Sequence, residues 1–379
     1  MKRSLTVLCF FSLFLFYPLP AVALEVEEYD ISPFLEIIDQ DDFLKVLPDR
    51  TQHELEELEL DKIDSLNAED LSPKKIFQYV ISAIRNEAKR PLRSLAQIMG
   101  AVILVAFLEG IKTTAERSKG ISQVFGITSI LLICTSLAQP ILDCITDTAE
   151  SITACSDFIL SFLPVYTGVI IAGGQAATAS TTHIFLFWAC QIASQFAADM
   201  LVPMVGGYLA ICFAGAAAPS IDLSGIISVV KNISSWALGL MMTLFVGSLT
   251  LSSVVSAGGD NLGVRAARFM LGSFVPVVGG ALSEAFTTAQ GCLHLLKTSV
   301  GIYGVVVSAM LFLPVIARLI VWYITVNLSS SVSQVFGLRK ISQLLRAISS
   351  SLGILLALLF CFMLILLVSL TLVLMVGGR

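Results

Sequence analysis

Long runs of residues without a charged side chain dominate this sequence and limit what it can fold into. The last of these runs covers residues 352–376, and about 20 apolar residues are enough for a helix to cross the hydrocarbon core of a bilayer. Only 13% of the 379 residues are charged and 56% are hydrophobic, whereas soluble domains carry about 25% charged residues. These features exclude a soluble globular domain, a secreted disulfide scaffold and a disordered chain, and they predict a polytopic helical membrane protein.

We predict an all-α fold with about eight membrane spans, some of them Pro/Gly-broken or re-entrant, and a small acidic extracytoplasmic segment. The spans are placed on runs that lack charge or nearly lack it. These runs are residues 95–108, 120–140, 158–198, 200–219, 232–257, 269–290, 298–327 and 352–376.

The N-terminal quarter differs from the rest of the chain. Residues 1–23 have the pattern of a signal peptide, with two basic residues, an apolar stretch and a small-x-small site at Ala21–Ala23; the alternative is an uncleaved membrane anchor. Residues 24–93 are predicted to be extracytoplasmic, acidic up to residue 72 with a local net charge of −14 (17 acidic, 3 basic), and then basic and amphipathic. Residues 94–379 form the predicted transmembrane domain.

Basic loops set the predicted orientation, because cytoplasmic loops are enriched in Lys and Arg. With the N-terminus outside, an acidic loop carrying Asp143, Asp147, Glu150 and Asp157 is also outside. The later basic residues are cytoplasmic only if residues 158–182 make no net crossing, which marks that stretch as a candidate re-entrant hairpin. The region around residue 340 is read as an in-plane amphipathic helix, or as a docking site for a cytosolic partner. Candidate partner-docking residues are Arg117, Lys119, Arg339, Lys340 and Arg346.

Pro-x-x-Gly units recur along the chain, as in SFLPVYTG at 161–168 and SFVPVVGG at 273–280. Proline removes a backbone donor and glycine weakens a helix, so such units favour broken helices with a polar lining, although they also occur where membrane helices merely bend. Two charged residues, Glu284 and Arg318, follow such units and are hypothesised to pair or to line a water-filled path. The candidate pore or gating residues are Pro164, Gly168, Gly173, Gly174, Gln175, Pro203, Gly206, Gly207, Pro276, Gly279, Gly280, Glu284, Pro314 and Arg318.

A pentapeptide, SQVFG, occurs at 122–126 and again at 333–337, which is consistent with internal duplication. Enzyme signatures are missing: the chain has no GxxxxGK[ST] loop, no HExxH and no CxxC, and its eight cysteines are scattered. We therefore expect no enzymatic activity, no cofactor and no metal site, and any ATP-derived energy has to come from a partner.

The order of these motifs resembles the stage III sporulation protein AE family. The resemblance rests on the order of the signal peptide, the acidic extracytoplasmic segment, FLPVYTG followed by a Gly pair, FVPVVGGALSEA at 274–285 and the terminal span. It implies a permease-like subunit of a secretion/channel complex that links mother cell and forespore and sits in the outer forespore membrane. It also implies a cytosolic ATPase and extracytoplasmic ring proteins as partners. The alternative is an autonomous secondary transporter of a small solute, with a midplane site at the Pro/Gly-broken helices.

Overall fold

The computed structural model describes residues 89–112, 119–172, 175–217 and 279–376, with single residues and short stretches between 47 and 87 and between 225 and 247. Within 108–112, 119–127, 279–295 and 371–376 it describes only the backbone path. All regular secondary structure in these residues is helical. The remaining residues, which include the predicted signal peptide, Arg117, Gly173, Gly174 and Pro276, lie outside the described residues.

Six α-helices and one π-helical turn have described bounds. A π-helical turn at Phe196–Leu201 joins the third and fourth α-helices without a break. The α-helices are α1 (Lys89–Lys112), α2 (Lys119–Ala172), α3 (Ala176–Gln195), α4 (Val202–Ala217), α5 (Gly279–Val335) and α6 (Arg339–Val376).

Four stretches of these helices are long and apolar enough to cross a membrane, as judged from length and composition. The predicted spans at 298–327 and 352–376 lie largely within the last two of them. The helical class and the multi-pass membrane character are therefore confirmed. The four stretches are Ile130–Ala172, Ala176–Gly215, Thr298–Val335 and Arg339–Val368.

Helices α2 and α5 pack antiparallel to each other. Asp147 of α2 meets Arg318 of α5, while Phe162, further along α2, meets Gly304, which lies earlier on α5. A Cβ atom at residue 304 would lie 2.7 Å from Cε1 of Phe162, so the absence of a side chain permits this close approach. In consequence the start of α2 lies at the same end of the bundle as the end of α5.

Helices α5 and α6 form an antiparallel hairpin. The Ser330 hydroxyl donates to the Ser342 carbonyl (3.1 Å), and the rings of Phe312 and Phe362 lie 5.7 Å apart. Gly337 closes α5 with φ of +76°, a conformation that side chains disfavour. The N–H of Leu338 bonds the Ser333 carbonyl and that of Gly337 bonds the Gln334 carbonyl, which together make a Schellman cap.

A row of aromatic side chains fills the core between these helices. Phe158, Phe162 and Tyr166 stack along one face of α2 with ring centroids 5.5 and 5.4 Å apart, and all three are fully buried. Tyr303 of α5 lies 6.5 Å from Phe162, and the Tyr166 hydroxyl donates to the Leu370 carbonyl of α6 (3.4 Å). This row joins three helices into one core.

Within the described residues the span boundaries differ from the prediction, because charged and proline residues lie inside continuous helices. Most of the predicted span 232–257 and part of 269–290 lie outside the described residues. The acidic residues placed in an outside loop, Asp143, Asp147, Glu150 and Asp157, all lie in α2. That prediction was wrong, and it had divided one helix of 54 residues, about 80 Å long, into separate spans. Residues 95–108 fall on a shorter apolar helix, Pro91–Phe107.

The prolines predicted to break helices do not do so at two positions. Pro164 lies within α2 and Pro314 within α5, and both helices continue past them. Each proline removes one backbone hydrogen bond from the ladder, and the neighbouring turns hold the helix together. The helix does end in the predicted 158–182 region, but after Ala172, and the chain then turns back as α3 packs against α2.

The two SQVFG copies have different structures. The second copy forms the capped end of α5, whereas the first lies inside α2. The predicted in-plane helix is the first part of α6, and its apolar residues Ile341, Leu345 and Ile348 are buried in the bundle core. These residues therefore do not form a membrane-facing stripe, and the shared pentapeptide does not mark a structural repeat.

Candidate functional site

A cluster of three charged side chains lies in the helical bundle and is the strongest candidate for a functional site. Arg318 of α5 donates from Nε to Glu87 Oε2 (2.8 Å) and from Nη2 to Glu87 Oε1 (3.2 Å). Its Nη1 also donates to Asp147 Oδ2 on α2. One guanidinium on the second half of α5 thus joins the segment before α1 and the middle of α2.

The three side chains are largely removed from solvent. Their exposed fractions are 23% for Arg318, 14% for Glu87 and 25% for Asp147. Two carboxylates against one guanidinium leave the cluster with one excess negative charge. Removing solvent from ionised groups is costly unless each is paired and hydrogen-bonded, and the bidentate contact to Glu87 supplies that pairing.

The sequence-based hypothesis that Arg318 pairs with Glu284 was wrong. Both residues lie on α5, 34 positions apart along a continuous helix, which corresponds to about 51 Å. The structure instead pairs Arg318 with two carboxylates from other segments, neither of which was predicted as a site residue. No signal in the sequence singled out Asp147, because Asp143 and Glu150 lie one turn on either side of it on the same helix.

The other predicted pore residues are distributed along the bundle and do not surround Arg318. Pro164 and Gly168 are exposed on α2, whereas Pro314 is buried one turn before Arg318 on α5. Gly279, Gly280 and Glu284 lie in the first turns of α5, where only the backbone is described.

One predicted residue lies in irregular backbone, and three more follow a π-helical turn. Gln175 joins α2 to α3: its N–H bonds the Ile170 carbonyl and its carbonyl accepts from the N–H of Ala179. Pro203, Gly206 and Gly207 follow the π-helical turn, in which the Val202 N–H reaches the Ala197 carbonyl five residues back. A proline ring clashes with the carbonyl four residues before it, and the wider π turn is suited to relieve that clash.

The predicted docking residues that the structure describes lie at one end of the bundle. Arg339, Lys340 and Arg346 are exposed on the first turns of α6, and Arg346 donates to Gln334 of α5. Lys119 begins α2 at the same end, as the antiparallel packing requires. Among the described residues, no acidic partner contacts Arg339 or Lys340, so this end presents positive charge to its surroundings.

The part of the chain that the structure describes contains no group of three His, Cys, Asp or Glu side chains that could hold a metal ion. Six cysteines are described as free thiols, five of them buried. The charged cluster therefore has the composition of an ion-pair network, and its chemistry is that of holding charges and segments in place.

Comparison with known proteins places this chain in a family. The family model for stage III sporulation protein AE matches residues 59–377. The stage III sporulation protein AE of Bacillus subtilis (strain 168) is 22% identical over 236 residues, which is 62% of this chain and 59% of that protein. No solved structure matches the chain. On the strength of the family match, which covers most of the chain, this protein belongs to the stage III sporulation protein AE family.

Proposed function

We propose that this protein is the membrane-embedded, permease-like subunit of a multiprotein channel complex needed for sporulation. The observation that carries the proposal is the family match over residues 59–377, combined with four helices that are long and apolar enough to span a membrane. In this role the protein sits in the outer forespore membrane and serves transport between mother cell and forespore.

The charged cluster is proposed as the working part of this subunit. Ionisable side chains among membrane helices are costly, and they mark pathways or moving elements more often than packing contacts. Arg318 on α5 is bonded to Glu87 and to Asp147, which lie far apart in the sequence. If any one of these three side chains moves, the electrostatic interactions of the other two change. The protein is proposed to act without enzymatic chemistry of its own.

The basic end of the bundle is the proposed docking site for a cytosolic ATPase, and the acidic N-terminal segment is the proposed contact for extracytoplasmic ring proteins. The absence of a phosphate-binding loop from the sequence supports an external source of energy. Exposed Arg339 and Lys340 provide a positive surface that would attract an acidic partner.

The test is affinity purification from sporulating cells in mild detergent. We expect a cytosolic ATPase and ring proteins to remain bound. The double variant Arg339→Glu/Lys340→Glu is expected to lose the ATPase and retain the rings, whereas Arg93→Glu, a reversal at an exposed residue of α1, retains both. If the protein is purified without any partner, the proposal is contradicted and an autonomous carrier is favoured. Solute binding would then be measured next.

A further inference from the structure

The contact between Glu87 and Arg318 differs mechanically from the contact between Asp147 and Arg318. Asp147 lies in the middle of α2, whose aromatic row is fully buried against α5. The backbone at Asp147 cannot move away from Arg318 unless that core is taken apart. Glu87, which is also helical, precedes the first residue of α1 by two positions, and the described residues just before it, Ile81, Ser82 and Arg85, are exposed.

Helix α1 is the outer helix at this place and is incompletely packed. It contacts α2 and α5 through Ile98, Val102 and Val105, while Ile103 and Leu104 on its other side are exposed. A half-open groove of about 290 Å³ lies between α1 and α2, lined by two polar and four apolar side chains. Along this groove the two helices make fewer dispersion contacts with each other than a close-packed interface provides, so separating them costs less.

The charges around the contact are close to balance. Glu87 is attracted by Arg318, but α2 presents Asp147 and, one turn on either side of it, Asp143 and Glu150. When Glu87 leaves, Arg318 and Asp147 remain as a neutral pair, so the open arrangement contains no unpaired guanidinium. When Glu87 is present, the cluster carries one excess negative charge.

From these observations we propose that the Glu87–Arg318 contact is a releasable latch, which holds the start of α1 on the bundle and opens the α1–α2 seam when it separates. Its effect is to connect the acidic N-terminal segment, which precedes Glu87 in the chain, to Arg318 on α5. The role of the acidic segment as a contact for ring proteins rests on the proposed function. The latch itself does not, because it is a property of the isolated protein.

The test is hydrogen–deuterium exchange of the purified full-length protein in detergent, read by mass spectrometry for peptides of α1, α2 and α5. We expect Glu87→Gln to raise exchange in the first turns of α1 by about tenfold, because a hydrogen bond to a charged group is lost, and to leave α2 and α5 unchanged. Asp147→Asn is expected to raise exchange in α2 and α5 instead. Asp157→Asn, which removes an exposed carboxylate on α2 ten residues beyond Asp147, is the matched control and should match the wild type.

The proposal is overturned if Glu87→Gln leaves α1 exchange at the wild-type level. It is also overturned if Glu87→Gln loosens α2 and α5 as much as α1, because the contact is then a general structural support. Glu87→Asp keeps the charge on a shorter side chain and should show less exchange in α1 than Glu87→Gln. If the two variants exchange equally fast, the latch does not depend on the charge. Loss of the partners in the purification experiment would leave each of these results unaffected.

Discussion

Replacing Gly304 by alanine tests the packing of α2 against α5 most sharply. A Cβ atom at this position would lie 2.7 Å from Cε1 and 3.0 Å from Cζ of Phe162. Carbon atoms in contact are ordinarily about 3.5–4.0 Å apart. The ring of Phe162 cannot swing aside, because it is fully buried and stacked between Phe158 and Tyr166. The added methyl group must therefore push the two helices apart.

The expected loss follows from two opposing contributions. Forcing an extra methyl group into a packed core costs about 1–3 kcal/mol. Alanine is also the better helix former, by about 1 kcal/mol over glycine. Gly304→Ala should therefore lower the free energy of unfolding by up to about 2 kcal/mol. The control is Gly100→Ala in α1, where no atom lies within 4 Å of the new Cβ, and this variant should gain about 1 kcal/mol.

The assay is equilibrium unfolding of the purified protein in detergent, arranged as a double-mutant cycle. Phe162→Leu removes the ring that the new methyl group would meet, and in that background Gly304→Ala should lose most of its cost. A coupling energy of about 1–3 kcal/mol is expected between the two positions. The reasoning is refuted if Gly304→Ala is as stable as Gly100→Ala, or if its cost is the same with and without Phe162→Leu.

Three further predictions concern contacts elsewhere in the bundle, each measured by the same unfolding assay. Gly337→Ala should cost about 1–2 kcal/mol because of its left-handed backbone, whereas Gly100→Ala, in the right-handed backbone of α1, should gain about 1 kcal/mol. Equal effects would contradict the left-handed conformation at residue 337. Tyr208→Phe should cost about 1 kcal/mol by removing a 3.1 Å hydrogen bond to the Ala347 carbonyl, and an unchanged stability would argue against that contact. Arg318→Ala should cost about 3 kcal/mol, because it leaves two carboxylates without their cation; a loss below about 1 kcal/mol, as at exposed pairs, would show that the cluster is not desolvated.

The helical membrane class could be predicted from sequence because apolar run length is a local property. Residues 298–327 and 352–376 are apolar over a length that only a membrane or a helical core accommodates, and both fall on long apolar helices. The same reasoning failed at Asp143 to Asp157, where charges were taken to end a span. A long helix can carry charges along its length when part of it lies in the bundle or outside the hydrocarbon region.

The candidate site could be predicted only in part, because ion-pair partners are a property of the tertiary structure. Arg318 was identified from its position in an apolar run, but Glu87 lies 231 residues away in the chain and Asp147 lies 171 residues away. No spacing rule connects such residues. The continuous helices at Pro164 and Pro314 were also unpredictable from the local sequence. Contacts with neighbouring helices decide whether a membrane helix breaks at a proline or continues past it.

If the charged cluster around Arg318 is the working part of this sporulation subunit, the protein cannot function without it. Complementation of a strain that lacks this protein tests this requirement, by counting heat-resistant spores and assaying the protein in the membrane fraction. Arg318→Lys keeps the positive charge but loses the bidentate contact to Glu87, and Arg93→Ala removes an exposed arginine from α1 as a control.

We expect Arg318→Lys to reach the membrane at the wild-type level and yet to support few spores, and Arg93→Ala to sporulate normally. If Arg318→Lys and Arg318→Ala both reach the membrane and sporulate like the wild type, the cluster is only a packing contact.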